Sequence, residues 1–233
     1  MKRVLIILSL TLMFSCVPVA QSSQMFDDFF VDKTMRIDYF HTGDAKEEWI
    51  TLDQVYQQGM WAGSTRNLID GFNNGRYFVK IFDAESGRLI FSKGFNSYFG
   101  EYQTTTQALQ GTKRTYHESA LIPYPKRKIN FVLEVRNRDN SLQPFFTHSI
   151  DPQSIGIINE NLCSGVEVFE IVQKGDPHTK VDVALIAEGY TAEEREKCRS
   201  DFKRFTDVLF GFEPYKSRKS QFNVYGVFKP SVD

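Results

Sequence analysis

The sequence predicts an α+β, mainly β chain: an N-terminal antiparallel β-sandwich followed by an incomplete α/β unit of βαβ form. Three observations carry this expectation. Aromatic residues abound, with 21 Phe and 10 Tyr among 233 residues, and such rings suit pleated, half-buried surfaces. From residue 25 to about 165, short apolar runs alternate with turn residues, the mark of a chain of strands. Beyond about residue 165 the pattern changes to strand, helix, strand.

The strands come in order. Arg36 to His41 opens the series. Tyr77 to Phe82 and Leu89 to Phe91 flank Asp83-Ala84-Glu85-Ser86-Gly87, a loop whose Gly predicts a hairpin. Ser119 to Pro123 follows. Ile129 to Val135 alternates strictly, which sets Ile129, Phe131, Leu133 and Val135 on one face. Arg136 to Ser141 is a polar turn, and Phe145-Phe146 begins another strand. Short strands with regular turn signals point to a sandwich.

The second part opens with Val166 to Val172, one more alternating strand. After the breaker Gly175-Asp176-Pro177-His178, Val181 to Ala187 is nearly continuous apolar sequence, as in a strand buried on both faces. Thr191-Ala192-Glu193-Glu194 has the form of a capping box. Cys198, Phe202, Phe205, Leu209 and Phe212 then form one helical stripe, ended by Gly211 and Pro214. Phe222 to Phe228 is the second strand. The pair should run parallel with a right-handed crossover. A two-stranded parallel sheet with one covering helix and an open edge is no stable domain. Residues 166–233 are therefore expected to be the opening of a second domain, after 1–22 as a leader and 23–165 as the sandwich.

The leader expectation comes from Lys2 and Arg3 followed by Val4 to Phe14, a charged start and a short apolar core, the form of a secretory signal peptide. The core is too short to span a bilayer comfortably, and no later segment is apolar enough. The mature chain is thus expected outside the cytoplasm: secreted, periplasmic or at the cell surface. Ser15 before Cys16 resembles a bacterial lipoprotein signal, which would make Cys16 a lipid attachment site and the lipid its membrane contact. Ordinary cleavage near Ala20 to Ser22 would discard Cys16, and the signal form leaves both open.

A net charge of -1 supplies no field toward nucleic acid or an anionic membrane, so no nucleic-acid partner is expected. The basic cluster Lys126-Arg127-Lys128 reads as a solvated turn. Cys163 and Cys198 read as two buried small hydrophobes rather than a disulfide framework.

Several separated segments resemble one family. Val181 to Tyr190, the capping box, and Glu213-Pro214-Tyr215-Lys216-Ser217 through Phe222-Asn223-Val224-Tyr225 resemble the start of the catalytic domain of the M64 peptidases, the IgA peptidase family. Asp32 to Tyr39, Ser92 to Tyr102 and His117 to Pro123 are similar to that family's N-terminal domain. The resemblance implies an exported zinc metallo-endopeptidase precursor acting on a protein or peptide substrate. Residues 166–233 would be the truncated start of its α/β zinc-peptidase domain.

The chain departs from such an enzyme at the metal. Zinc peptidases of this kind carry H-E-x-x-H on a helix: two His one turn apart bind the ion, and the Glu activates water. The His-Glu pair here is His117-Glu118, with Leu121 four residues after the His. Its surroundings are strand-like, which would send the two side chains to opposite faces. No catalytic or metal residue is assigned, zinc is expected only for the full-length family member, and the chain alone is expected to be inactive.

Other candidates are weaker. Glu188 and Tyr190 lie at the carboxyl end of a parallel strand beside a helix start, where α/β folds bind ligands, and are candidates for a substrate crevice against the plainer reading of a tight turn. Trp49, Trp61, Phe95, Tyr98, Phe99 and Tyr102 could form an aromatic platform for sugar, but aromatics in strands are usually core. The rival functional reading is a non-enzymatic binding module of the cell envelope, holding glycan or host protein. A third is a non-functional gene fragment.

Overall fold

The computed structural model describes residues 20–161 and 165–231. Residues 1–19 of the expected leader, Cys16 among them, and Cys163 lie outside them.

The chain begins with α1 (Ala20–Phe29), which leads directly into β1 (Phe30–Gly43) and β2 (Glu48–Gln57). Residues 25–29 were expected to be extended. They close a helix instead, because Phe26, Phe29 and Phe30 bury their rings together in the core, with Phe26 and Phe30 5.8 Å apart. Next come β3 (Tyr77–Asp83), β4 (Leu89–Phe95), two short helices α2 (Tyr98–Tyr102) and α3 (Thr106–Leu109), β5 (Arg114–Pro125), β6 (Ile129–Arg136), β7 (Leu142–Ile150) and β8 (Ile158–Asn159). The expected β3–β4 hairpin forms, and Gly87 at its turn takes φ +68°, which a side chain would resist. The short helices were not expected. Their starts were nonetheless written in the sequence: Ser97 and Thr105 each accept a backbone N–H at the first turn, from Gly100 and Ala108.

Two four-stranded sheets result, ordered β5-β1-β2-β8 and β4-β3-β6-β7. All neighbours in them are antiparallel except β2 and β8, which run parallel. One apolar cluster draws on both sheets: Met35, Ile37 and Tyr39 of β1 and Ile122 of β5 meet Ile81 of β3 and Ile129, Phe131 and Leu133 of β6. Ile129, Phe131 and Leu133 of β6 share the core face as expected and are at most 1 % exposed, but Val135 is only half-buried, and Val132 and Glu134 of the opposite face are buried as well. The basic cluster at 126–128 is indeed the β5–β6 turn. Arg127 there does more than face water: it bonds the buried Asp83 at 2.6 Å and lies over the ring of Phe29.

The remaining elements are β9 (Glu167–Val172), β10 (Val181–Ile186), α4 (Arg195–Leu209) and β11 (Phe222–Phe228). β10 and β11 pair in parallel, as the strand-helix-strand pattern requires. The sheet has three strands rather than two: β9 joins β11 antiparallel, in the order β10-β11-β9. β10 was expected to be buried on both faces. It is an edge strand, and Val181 and Ile186 are largely exposed, because α4 covers only one face of a narrow sheet. The helical stripe is also narrower than expected. Cys198, Phe202 and Thr206 are buried, whereas Phe205 and Phe212 face solvent. A row at intervals of four follows the face toward the sheet, and Phe205 instead sits beneath the Arg204 guanidinium. Phe202 packs on the backbone of Gly226 so closely that a Cβ there would lie 2.3 Å from its ring.

The capping box forms by half. The carboxylate of Glu194 accepts the backbone N–H of Thr191, but α4 starts only at Arg195 and no side chain caps its first turn.

Candidate functional site

The most elaborate polar arrangement lies inside the first sheet. The inward face of β1 runs Met35, Ile37, Tyr39, His41, so strict alternation delivers a histidine to an apolar interior. His41 is 1 % exposed. Its neighbours β2 and β5 each contribute a carboxylate from the same face. His41 Nε2 lies 2.9 Å from Glu48 Oε2, and Nδ1 lies 3.2 Å from Glu118 Oε2. Phe99 of α2 stacks on the ring at 4.0 Å, and Tyr77 meets it edge-on from the second sheet. The Tyr77 hydroxyl donates to Glu48 Oε2 at 2.8 Å, and the Phe99 backbone N–H donates to Glu118.

Both ring nitrogens face carboxylates, which only accept. An ionised carboxylate at each nitrogen favours the doubly protonated ring, which donates from both. Burial by itself would lower the His41 pKa, but the bonds to Glu118 and Glu48 and their charges outweigh it and hold it above the ordinary value. Burial would raise Glu48, yet His41, Tyr77 and the charge of Arg76 bring it below the usual carboxylate range. Burial and the nearby Glu118 and Glu48 push the Tyr39 and Tyr77 phenols up respectively, so both stay protonated. A ring with both nitrogens committed has no lone pair for a metal or a substrate. The cluster holds a proton and ties β1, β2, β3, β5 and α2 together. The sequence signal that could have found it was a lone His on an otherwise apolar strand face.

His117 and Glu118 are adjacent in β5, and the strand sends them to opposite faces as expected. Glu118 points in to His41, while His117 meets Asp53 at 3.0 Å on the outer surface. Among the described residues no three His, Cys, Asp or Glu side chains come together in a way that could hold a metal ion.

The crevice residues separate. Glu188 is exposed at the end of β10. Tyr190 turns back toward α4, donating to Asp201 at 3.0 Å and packing on the small core of Phe169, Cys198, Phe202 and Phe228. Between them Gly189 takes φ +76°, a conformation that suits glycine. The aromatic set does not form a platform either. Trp61, Phe99 and Tyr102 are buried, and Trp49 and Tyr98 are exposed. Cys198 is a buried free thiol in the small core.

A second histidine was missed. His178, in the turn before β10, reaches back to the first part of the chain. Its Nδ1 lies 3.1 Å from the Gly63 carbonyl and its Nε2 3.3 Å from Asp32 of β1. Burial would lower its pKa, but the Gly63 carbonyl and Asp32, with the charge of Asp176, raise it. A raised histidine pKa stabilises below its unfolded value of 6.5, and the contribution is lost as pH rises through the folded value. Limited proteolysis between residues 165 and 180 is thus expected to quicken as pH rises past neutrality. His178→Ala should be cut rapidly at pH 6 and pH 8 alike.

The described chain thus has an antiparallel β region with a shared core, followed by a β-strand, a helix and a β-strand. Residues 25–147 match the family model described as Peptidase M64 N-terminus, and residues 169–233 match that described as IgA Peptidase M64. The chain belongs to the M64 peptidase family, a family of metallopeptidases. No curated protein matches it.

Proposed function

We propose that this chain is the N-terminal portion of an exported zinc metallo-endopeptidase precursor of the M64 type, without peptidase activity by itself. The observation that carries the reading is the succession of two family matches, N-terminal region first and peptidase region second, over 25–147 and 169–233. Inactivity is supported by chemistry. No H-E-x-x-H occurs in these residues, and the His-Glu pair sits astride a strand. Residues 23–165 would brace or position substrate for a catalytic domain that begins at about residue 166. The packing of Phe26 and Phe29 into the core favours a mature chain that keeps residue 25 onward. Cleavage before Cys16, with lipid attached there, and cleavage near Ala20 to Ser22 both satisfy that. The mass of the mature N-terminus separates them.

The test is to incubate the purified chain with zinc and a panel of unfolded proteins and immunoglobulin. No cleavage and no stoichiometric zinc uptake are expected. Zinc-dependent hydrolysis that a chelator stops would overturn the inactivity.

A further inference from the structure

One groove borders the His41 cluster, sharing Arg76 and Gln103 with its outer side. It is open, about 1000 Å³ in volume, and lies where the ends of β3 and β4, the β6–β7 turn and the α2–α3 segment converge. Arg76, Arg136 and Arg138 line it, with the amides of Asn74, Asn96 and Gln103 among others, and among the described residues no Asp or Glu does. In a chain with 28 basic and 29 acidic residues, three guanidiniums without a lining carboxylate make a local excess of positive charge.

The groove is held in shape by its own residues. Arg136 Nε donates to the Gly75 carbonyl at 2.9 Å, and its two terminal nitrogens donate to the Asn140 carbonyl at 3.0 Å and the Asn73 carbonyl at 2.9 Å. Asn73 and Asn140 sit at φ 52° and 67°, so Arg136 fixes two loops in conformations that side chains rarely adopt. Gln103 is 7 % exposed and bonded to the Asp44 carbonyl, which sets the floor.

Arg138 is left for a ligand, and Arg76 has one long ion pair that a ligand could share. The nearest carboxylate to Arg76 is Glu48 at 3.7 Å, already held by His41 and Tyr77. Arg138 is exposed on the β6–β7 turn, and its neighbour Asp139 is turned to Ser141. Asn96 uses its oxygen on the Arg76 backbone N–H, which leaves its amide hydrogens.

We propose that this groove docks an acidic segment of a polypeptide. Guanidiniums take carboxylates in paired bonds, and carboxamides both donate and accept, as a peptide group does. The groove's apolar side chains are Ala45 and Leu109, so it offers no flat ring to a sugar. Three guanidiniums in a chain of net charge -1 are too few for a phosphate backbone. That the docked polypeptide is a substrate rests on the peptidase reading; the docking itself does not.

The experiment is fluorescence anisotropy on the full chain at low salt, with a labelled Gly-Glu repeat peptide, its Gly-Gln counterpart and an oligogalacturonate competitor. The Glu peptide should bind and the Gln peptide should not. Arg76→Ala and Arg138→Ala should each weaken binding by roughly fivefold, the upper range for an exposed ion pair. Arg138→Ala lies on a surface turn and should unfold at the wild-type temperature. Equal binding of both peptides, no binding of either, or unchanged binding in both variants overturns the proposal. Tighter binding of the oligogalacturonate overturns it in favour of an acidic glycan. Peptide binding requires no hydrolysis, so peptidase activity found in the chain would sink the inactivity reading and leave the groove result standing.

Discussion

His41→Ala is expected to cost roughly 3–5 kcal/mol of folding stability, the scale set by removing one partner from a buried ion pair. The reason is what stays behind. Glu48 and Glu118 would face each other across the vacated space, with the Phe99 and Tyr77 rings excluding water. Either carboxylate must then take up a proton or the α2 segment must lift to admit water. Chemical denaturation of the two proteins measures the loss. His41→Ala as stable as the wild type would show that the carboxylates are solvated and the clamp is ornamental.

The same cluster sets a pH window. His41 is raised, so its contribution is complete below 6.5 and is lost as pH climbs through the folded value. Glu48 is lowered, so its contribution is complete above 4.5 and is lost as pH falls through its folded value. The ring faces Glu48 from β2, Glu118 from β5 and Tyr77 from β3, with Tyr39 of β1 on Glu118 and Arg76 beyond Glu48. Their combined support is greatest between those two values. His41→Ala should flatten the decline just above 6.5, and His178, also raised, contributes to the fall that remains.

The parts of the fold that the sequence made legible are those where period and burial coincide. β6 alternates and has a core on the face carrying Ile129, Phe131 and Leu133, so its face could be read directly. The β3–β4 hairpin was legible because Gly87 marks its turn. Burial that depends on distant partners was not. β10 is apolar throughout, and only its edge position in the sheet leaves Val181 and Ile186 in water. β9 alternates like a strand of the preceding region, and nothing local says that it pairs with β11 instead. The site divides the same way. His117 and Glu118 could be set on opposite faces from strand period alone. The His41 clamp needed two strands that lie seven and 77 residues away along the chain. Glu188 and Tyr190 were placed correctly at a strand end, but Tyr190 is drawn to Asp201, a helix turn that local pattern does not supply.

Phe202→Ala is expected to be the most damaging single change in the second part of the chain, at roughly 3–5 kcal/mol for truncating a buried Phe. The cluster around it is small: Phe169, Cys198, Phe202 and Phe228 are buried, with Ile171, Leu185, Ala187 and Tyr190 half-buried around them, and Val224 and Phe210 are buried outside it. Phe202 carries α4 onto the sheet, with its ring 6.2 Å from Phe169 and seated against the bare Cα of Gly226. The first core has 21 buried members and does not include these residues, so it should not feel the change. Hydrogen exchange should therefore show α4, β10 and β11 losing protection while β1, β3, β5 and β6 keep theirs. Loss of protection in both regions together would mean that the two parts fold as one unit. Unchanged protection in α4 would mean that Arg195, bonded to Glu167 and lying over Phe169, holds the helix without Phe202. The outcome bears on function because the 169–233 segment matches the peptidase model. With so few buried apolar side chains in that region, the exposed Val181, Ile186 and Val168 add nothing to its core.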